Sequence, residues 1–158
     1  RLVIDSSGWM HYIGVGSDIY DVHNYSMPET LKQNLAGLEK GVWSETFKNY
    51  PQDIPYNGDK PYFVSEFGGI GWNPKSKGKD WGYGNRPATE KEFVERYVKT
   101  MQVLQDNPEI CGWCYTQLTD VEQEVNGLYY YNRRPKYSPA GMRNIRNANA
   151  GERGGKRK

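Results

Sequence analysis

The chain has 158 residues, and its 21 Lys and Arg against 19 Asp and Glu leave a formal charge of +2. That balance is too small to draw in nucleic acid or a membrane surface by bulk electrostatics. No run approaches the ~20 consecutive apolar residues of a membrane-spanning helix, and the N-terminus lacks the charged and apolar regions of a secretory signal, which leaves the compartment unassigned.

The length suits one domain of ordinary size. The chain opens on Arg rather than Met and runs at once into an apolar stretch, residues 2–4, which reads as a strand and predicts upstream sequence in a longer protein. That stretch closes into Asp5-Ser6-Ser7-Gly8-Trp9. A second apolar run, residues 19–22, ends at His23, Asn24 and Tyr25. Ser26 and Glu29 then have capping-box spacing, Pro28 sits in the first turn, and Leu31, Leu35 and Leu38 follow at helical intervals, which predicts a helix over about residues 28–40.

The third run, residues 62–64, leads to Ser65 and Glu66 and then to a Gly- and Lys-rich loop, residues 68–87. Thr89 and Glu92 form a second capping box, and Phe93, Val94, Tyr97, Val98, Met101 and Leu104 make one apolar face, so a helix runs to about residue 105. Asn107 and Pro108 stop it before a fourth strand at residues 110–115. Strands alternating with helices predict repeated βα units, and the pattern alone fits either a barrel or an open doubly wound sheet. Gly14, Val15 and Gly16 lack the full fingerprint that a dinucleotide-binding sheet carries.

Cys111 and Cys114 have the spacing of a redox or zinc half-motif. Three residues apart on a strand, however, they face opposite sides and lie about 10 Å from each other, so they read as structural thiols. Two histidines and these cysteines make no ligand cluster, so no metal site and no cofactor are expected. Residues 141–158 read as a basic, Gly-rich, flexible tail after a domain of residues 1–140.

In βα architectures of the barrel type the reacting groups lie at the C-terminal ends of strands. Glu66 stands at such an end, directly before Phe67-Gly68-Gly69. Strict alternation would place it on the same face as Tyr62 and Val64. A carboxylate at the end of an apolar strand is costly unless hydrogen bonds or cations hold it. From position alone Glu66 serves equally as a solvated strand end, a member of a buried ion pair or a catalytic group.

The order of the four runs makes the pattern specific. Residues 1–9, residues 18–25 and the stretch from Lys60-Pro61-Tyr62 to Gly69 resemble consecutive strands of the catalytic barrel of family 2 glycoside hydrolases. Gly112-Trp113-Cys114-Tyr115-Thr116-Gln117, with Asp120, Asn126-Gly127-Leu128 and Arg133-Arg134-Pro135-Lys136, resembles the last strand and exit of that barrel. The resemblance covers about residues 1–140. It implies an α/β fold of the (β/α)8 TIM-barrel type, with strands 5 to 8, the C-terminal half, present in this chain.

It further implies a retaining β-glycosidase, β-galactosidase-like, with Glu66 as nucleophile, Tyr25 as the hydroxyl that hydrogen-bonds it, and His23 near a sugar hydroxyl. Thr116 occupies the place where many relatives carry a sugar-stacking Trp, so stacking falls to Trp9, Trp72 or Trp113. The family's general acid sits in an Asn-Glu pair, and this sequence contains none, which predicts that the isolated chain is inactive without the N-terminal half of its protein. Relatives that cleave glucuronides carry an Asn-x-Lys pair where this chain has Glu124-Val125-Asn126, which disfavours uronic acids. The expected partners are a carbohydrate substrate, the missing half and a second copy of the chain paired through open strand edges, with no nucleic acid and no membrane. The rival reading is a noncatalytic carbohydrate-binding or interaction module derived from the barrel.

Overall fold

The computed structural model describes residues 1–5, 8–12, 14, 16–76 and 78–151. Its elements, in chain order, are β1 (Tyr20–Asn24), α1 (Pro28–Lys40), a short 3-10 turn (Trp43–Glu45), β2 (Tyr62–Gly68), α2 (Glu90–Asp106), β3 (Ile110–Thr116) and α3 (Pro139–Asn149). The three strands form one parallel sheet in the order β1-β2-β3, so consecutive strands are neighbours and helices lie in the crossovers. This is an α/β arrangement with β2 in the centre.

Both crossover helices follow the predicted bounds closely. In α1, Leu31, Leu35 and Leu38 are buried at helical spacing, and Gly41 closes the helix in the left-handed conformation with its N–H on the carbonyls of Gly37 and Leu38. Its start differs from the expected capping box. Met27 is the N-cap and makes no side-chain bond, while the Ser26 hydroxyl instead accepts from Asn34 Nδ2 at 3.2 Å. Pro28 at the first position tolerates this, since it has no N–H to satisfy.

In α2 the expected cap forms. Thr89 Oγ1 accepts from Glu92 N at 3.2 Å, and the Glu92 carboxylate turns back onto Ala88 N at 2.7 Å. Phe93, Tyr97, Met101 and Leu104 are buried against Tyr62, Val64 and Phe67 of β2 and the leucines of α1. Removing a side chain such as Leu104 from this layer costs about 2–5 kcal/mol.

The run at residues 2–4 is not a strand. Leu2, Val3 and Ile4 are exposed, and the run is tied to Ser17 and Asp18, through Ser17 Oγ to Val3 O at 3.4 Å, Asp18 N to Val3 O at 2.8 Å and Val3 N to Asp18 Oδ2 at 2.8 Å. A strand needs a continuous ladder, and among the described residues the N-terminal segment adds to β1 only the single backbone bond from His23 N to Gly8 O at 3.4 Å, while the ladder of β1 runs to β2.

Residues 139–149, most of which the sequence reading gave to the tail, form α3 instead. Ser138 caps it by accepting from Gly141 N, Pro139 begins it, and Met142, Ile145 and Ala148 are buried, with α3 packed on α2. Residues 152–158, the rest of that expected tail, lie outside the described residues. Cys111 and Cys114 are on β3 as expected, but both are free and exposed rather than packed in the interior. No helix among the described residues is long and apolar enough to cross a membrane.

The register of β2 determines the site. Asp21 pairs with Phe63 and His23 with Glu66, while Val64 pairs with Trp113 and Phe67 with Tyr115, so β2 carries one extra residue between positions 64 and 66 on both sides. Such a bulge breaks the two-residue alternation and re-aims the side chains after it. Tyr62, Val64 and Phe67 are buried, whereas Phe63, Ser65 and Glu66 are all partly exposed. Glu66 therefore does not share the buried face of Tyr62 and Val64.

Candidate functional site

Glu66 lies near the C-terminal end of the central strand, with its side chain about one third exposed, 35 %. Two residues from the end of β1 converge on it. Tyr25 Oη donates a short hydrogen bond to Glu66 Oε2, and His23 Nε2 lies 3.6 Å from Oε1. At 3.6 Å this contact is longer than a hydrogen bond. Burial first, then the hydrogen bond and charge of Glu66 and contact with Tyr83, push the Tyr25 phenol far above its ordinary range. The phenol stays protonated and remains a donor to the carboxylate.

Both β1 residues are held from behind. Asn49 brackets the His23 backbone, accepting from His23 N at 3.0 Å and donating to His23 O at 2.7 Å. The Tyr25 ring stacks on Tyr83, with centroids 3.9 Å apart and planes 2° from parallel. This stack needs Gly69, whose φ is +54° and where a Cβ would come within 2.5 Å of the Tyr83 ring and 2.9 Å of the Tyr25 ring.

Tyr83 comes from the long loop after β2, which is firmly anchored. Tyr83 N donates to Gly69 O at 2.8 Å, and the two glycine backbones at Gly71 and Gly82 cross so closely that a Cβ on Gly82 would lie 2.3 Å from Gly71 Cα. Further along, Trp72 N donates to Val125 O, Trp81 N to Gln123 O and Val125 N to Trp81 O, tying the loop to the segment after β3. Lys136 locks this junction. Its fully buried ammonium donates to Trp72 O at 2.9 Å, Val125 O at 2.8 Å and Asp120 Oδ1 at 2.5 Å.

Of the predicted site residues, Glu66, Tyr25 and His23 come together. Thr116 ends β3 opposite Gly68, two residues past Glu66, and its peptide bond to Gln117 is cis. The three candidate stacking tryptophans separate. Trp9 is 55 % exposed beside the site, between His23 at 6.1 Å and the tilted Tyr50 ring at 5.6 Å. Trp72 is buried and stacked on Tyr137 at 5.0 Å, which makes it core. Trp113 is partly buried and packed against the core.

Tyr83 and Asn49 were not anticipated. Gly82-Tyr83-Gly84, an aromatic between glycines, carries a signal of close backbone approach, whereas nothing in the sequence marks Asn49. A groove of about 440 Å³ runs between α1 and α2 past Lys32, Leu35, Lys99 and Val103, and it includes none of the site residues.

No protein-family model and no curated protein matches the sequence. Solved structures do match it. A GH2 β-galacturonidase from Eisenbergiella tayi superposes with a TM-score of 0.54 at 16% identity, over 84% of this chain and 24% of that one. A β-glucuronidase from Faecalibacterium prausnitzii gives 0.52 at 17%, over 85% and 22%. The agarase AgWH50C gives 0.57 at 17%, over 85% and 19%. The chain thus has the fold of a segment of family 2 glycoside hydrolases. It spans about a fifth to a quarter of their length.

Proposed function

We propose that this chain is the nucleophile-bearing part of a retaining β-glycosidase, the C-terminal half of a (β/α)8 barrel whose strands 6, 7 and 8 are β1, β2 and β3. The observation that carries this reading is the convergence of Tyr25 and His23 on Glu66 at the C-terminal ends of adjacent parallel strands. The similarity to glycoside hydrolase structures supports the architecture, and the site supports the chemistry.

In the first step Glu66 attacks the anomeric carbon, forming a glycosyl ester as the bond to the leaving oxygen breaks. A second carboxyl about 5 Å away protonates that oxygen and then, as a base, activates the water that releases the sugar. Tyr25 orients the attacking carboxylate and loses its hydrogen-bond partner oxygen to the sugar as the ester forms. Trp9, half exposed beside His23, supplies aromatic surface for the ring. The second carboxyl belongs to another segment of the full protein, so the isolated chain lacks turnover.

The substrate we propose is a neutral β-glycoside of the galactoside type. A uronic acid needs a free cation or amide for its carboxylate. Here the Asn126 amide is committed to Glu124 Oε1 at 2.9 Å and Gln117 Nε2 at 2.8 Å, and Lys136 is buried on Asp120.

In the full-length protein Glu66→Gln abolishes turnover with the fold retained, and a 2-fluoro-glycoside labels Glu66. Label on another residue refutes the assignment. The rival is a noncatalytic carbohydrate-binding or interaction module, which the lack of an Asn-Glu pair in the segment upstream of residue 1 would favour. Saturable sugar binding by the full-length protein, with neither turnover nor label, would establish it.

A further inference from the structure

Asp21 on β1 is fully buried, and neither of its carboxylate oxygens has a hydrogen-bond partner. Buried charges of this kind are otherwise paired or coordinated to metal ions. Two other buried groups face it. His11 Nδ1 lies 2.8 Å from Asp5 Oδ1, and one ligand-capable atom from each of Asp5, His11 and Asp21 falls within 4.8 Å of the others. The Asp5 and His11 side chains are only 2% and 6% exposed.

The surrounding contacts orient this trio. His11 Nε2 faces the Asp21 carbonyl at 3.1 Å, His11 N donates to Asp53 Oδ1 at 2.8 Å, and Tyr12 N donates to Asp5 Oδ2 at 3.0 Å. A ring N–H spent on a backbone carbonyl is the outer contact that fixes a metal-ligating imidazole and leaves its other nitrogen free to coordinate. Nδ1 and a carboxylate oxygen at 2.8 Å require a positive species between them. A proton satisfies His11 and Asp5 and leaves Asp21 unpartnered, whereas a dication satisfies all three.

We propose that Asp5, His11 and Asp21 bind a divalent transition-metal ion, with Zn2+ the best match to one imidazole and two carboxylates. Zinc bonds of about 2.0–2.2 Å set tetrahedral ligand atoms roughly 3.3 Å apart, so His11 and Asp5 open by a few tenths of an ångström and the Asp21 carboxylate draws in. Mg2+ and Ca2+ prefer all-oxygen shells and fit less well. The ion fastens the N-terminal segment to β1, two residues below His23, and this role does not depend on the glycosidase reading.

The test is calorimetric titration of the 158-residue chain, in a Cys111→Ser, Cys114→Ser background that removes the exposed thiols, with ZnCl2 and, separately, MgCl2. One Zn2+ binds per chain, at least about tenfold tighter than Mg2+, and raises the melting temperature. Asp21→Asn loses at least about tenfold in Zn2+ affinity. His11→Gln loses the same affinity and serves if Asp21→Asn fails to fold. No saturable binding up to about 1 mM Zn2+, or unchanged binding in either folded variant, overturns the proposal.

Discussion

Replacing Lys136 with Met tests the junction that holds the loop behind Tyr25. The Lys136 side chain is 0% exposed and Asp120 5%, and the ammonium makes three contacts, to Asp120, Trp72 O and Val125 O. Burial lowers the Lys136 pKa and raises that of Asp120, and their mutual hydrogen bond and charge offset this only in part. The pair is therefore expensive to bury, and stripping one partner is worse, since it leaves Asp120 with Gly127 N at 3.0 Å as its remaining hydrogen-bond donor. A broken buried pair costs about 3–5 kcal/mol, or a drop in melting temperature of about 6–20 °C for a chain of this size. Urea unfolding followed by the fluorescence of the five tryptophans reads the loss directly. Lys136→Met with Asp120→Asn then costs less than the two single changes added together, by about 0.5–3 kcal/mol, because the double variant buries no unpaired charge. A Lys136→Met penalty under about 1 kcal/mol, or strict additivity, refutes this account of the junction.

Two further outcomes follow from the same loop. Asp80 accepts from Ser76 Oγ at 2.6 Å, Asn73 Nδ2 at 3.1 Å and Arg86 Nη1 at 2.6 Å. Although burial raises its pKa, these bonds and the Arg86 charge outweigh that effect and hold the carboxyl below its ordinary 3.8. The stability Asp80 supplies is thus complete above the ordinary value and lost as pH falls through the lowered one. Asp80→Asn destabilises by about 1–2 kcal/mol at pH 7 and converges with the parent in acid, as thermal melts across pH will show. If the proposed chemistry holds, Tyr83→Leu in the full-length protein removes the stack under Tyr25, worth about 0.5–1.5 kcal/mol, and lowers kcat roughly 2–12-fold. Unchanged kcat means that Tyr25 is positioned without it.

The helices α1 and α2 and the strands β1, β2 and β3 were legible because each is written in local terms. The 3.6-residue spacing of the α1 leucines and the Thr89 cap of α2 are examples, as is the Asn107-Pro108 stop before β3. The convergence of Tyr25 on Glu66 was legible only through resemblance, since it spans 41 positions in sequence. Three features escaped. Residues 2–4 look like a strand in composition but, among the described residues, form no ladder with a neighbouring strand. The bulge in β2 is invisible to alternation and moves Glu66 off the face that counting assigns it. The basic, Asn-rich character of α3 hid a sparse apolar stripe, Met142, Ile145 and Ala148, and its Ser138-Pro139 start went unread. The Asp5, His11 and Asp21 trio is a product of folding alone, drawn from a loop and a strand that share no motif.

That β2 is the middle strand has a consequence for where order resides. Fraying in a small parallel sheet begins at its rims, and here the rims are β1 and β3. The amides of β2, hydrogen-bonded on both flanks, open only with the whole unit. Glu66 thus rides on the strand paired on both flanks, while His23 on β1 and Tyr25 just past it reach it from a strand that depends on Asn49 and Tyr83 to hold their positions.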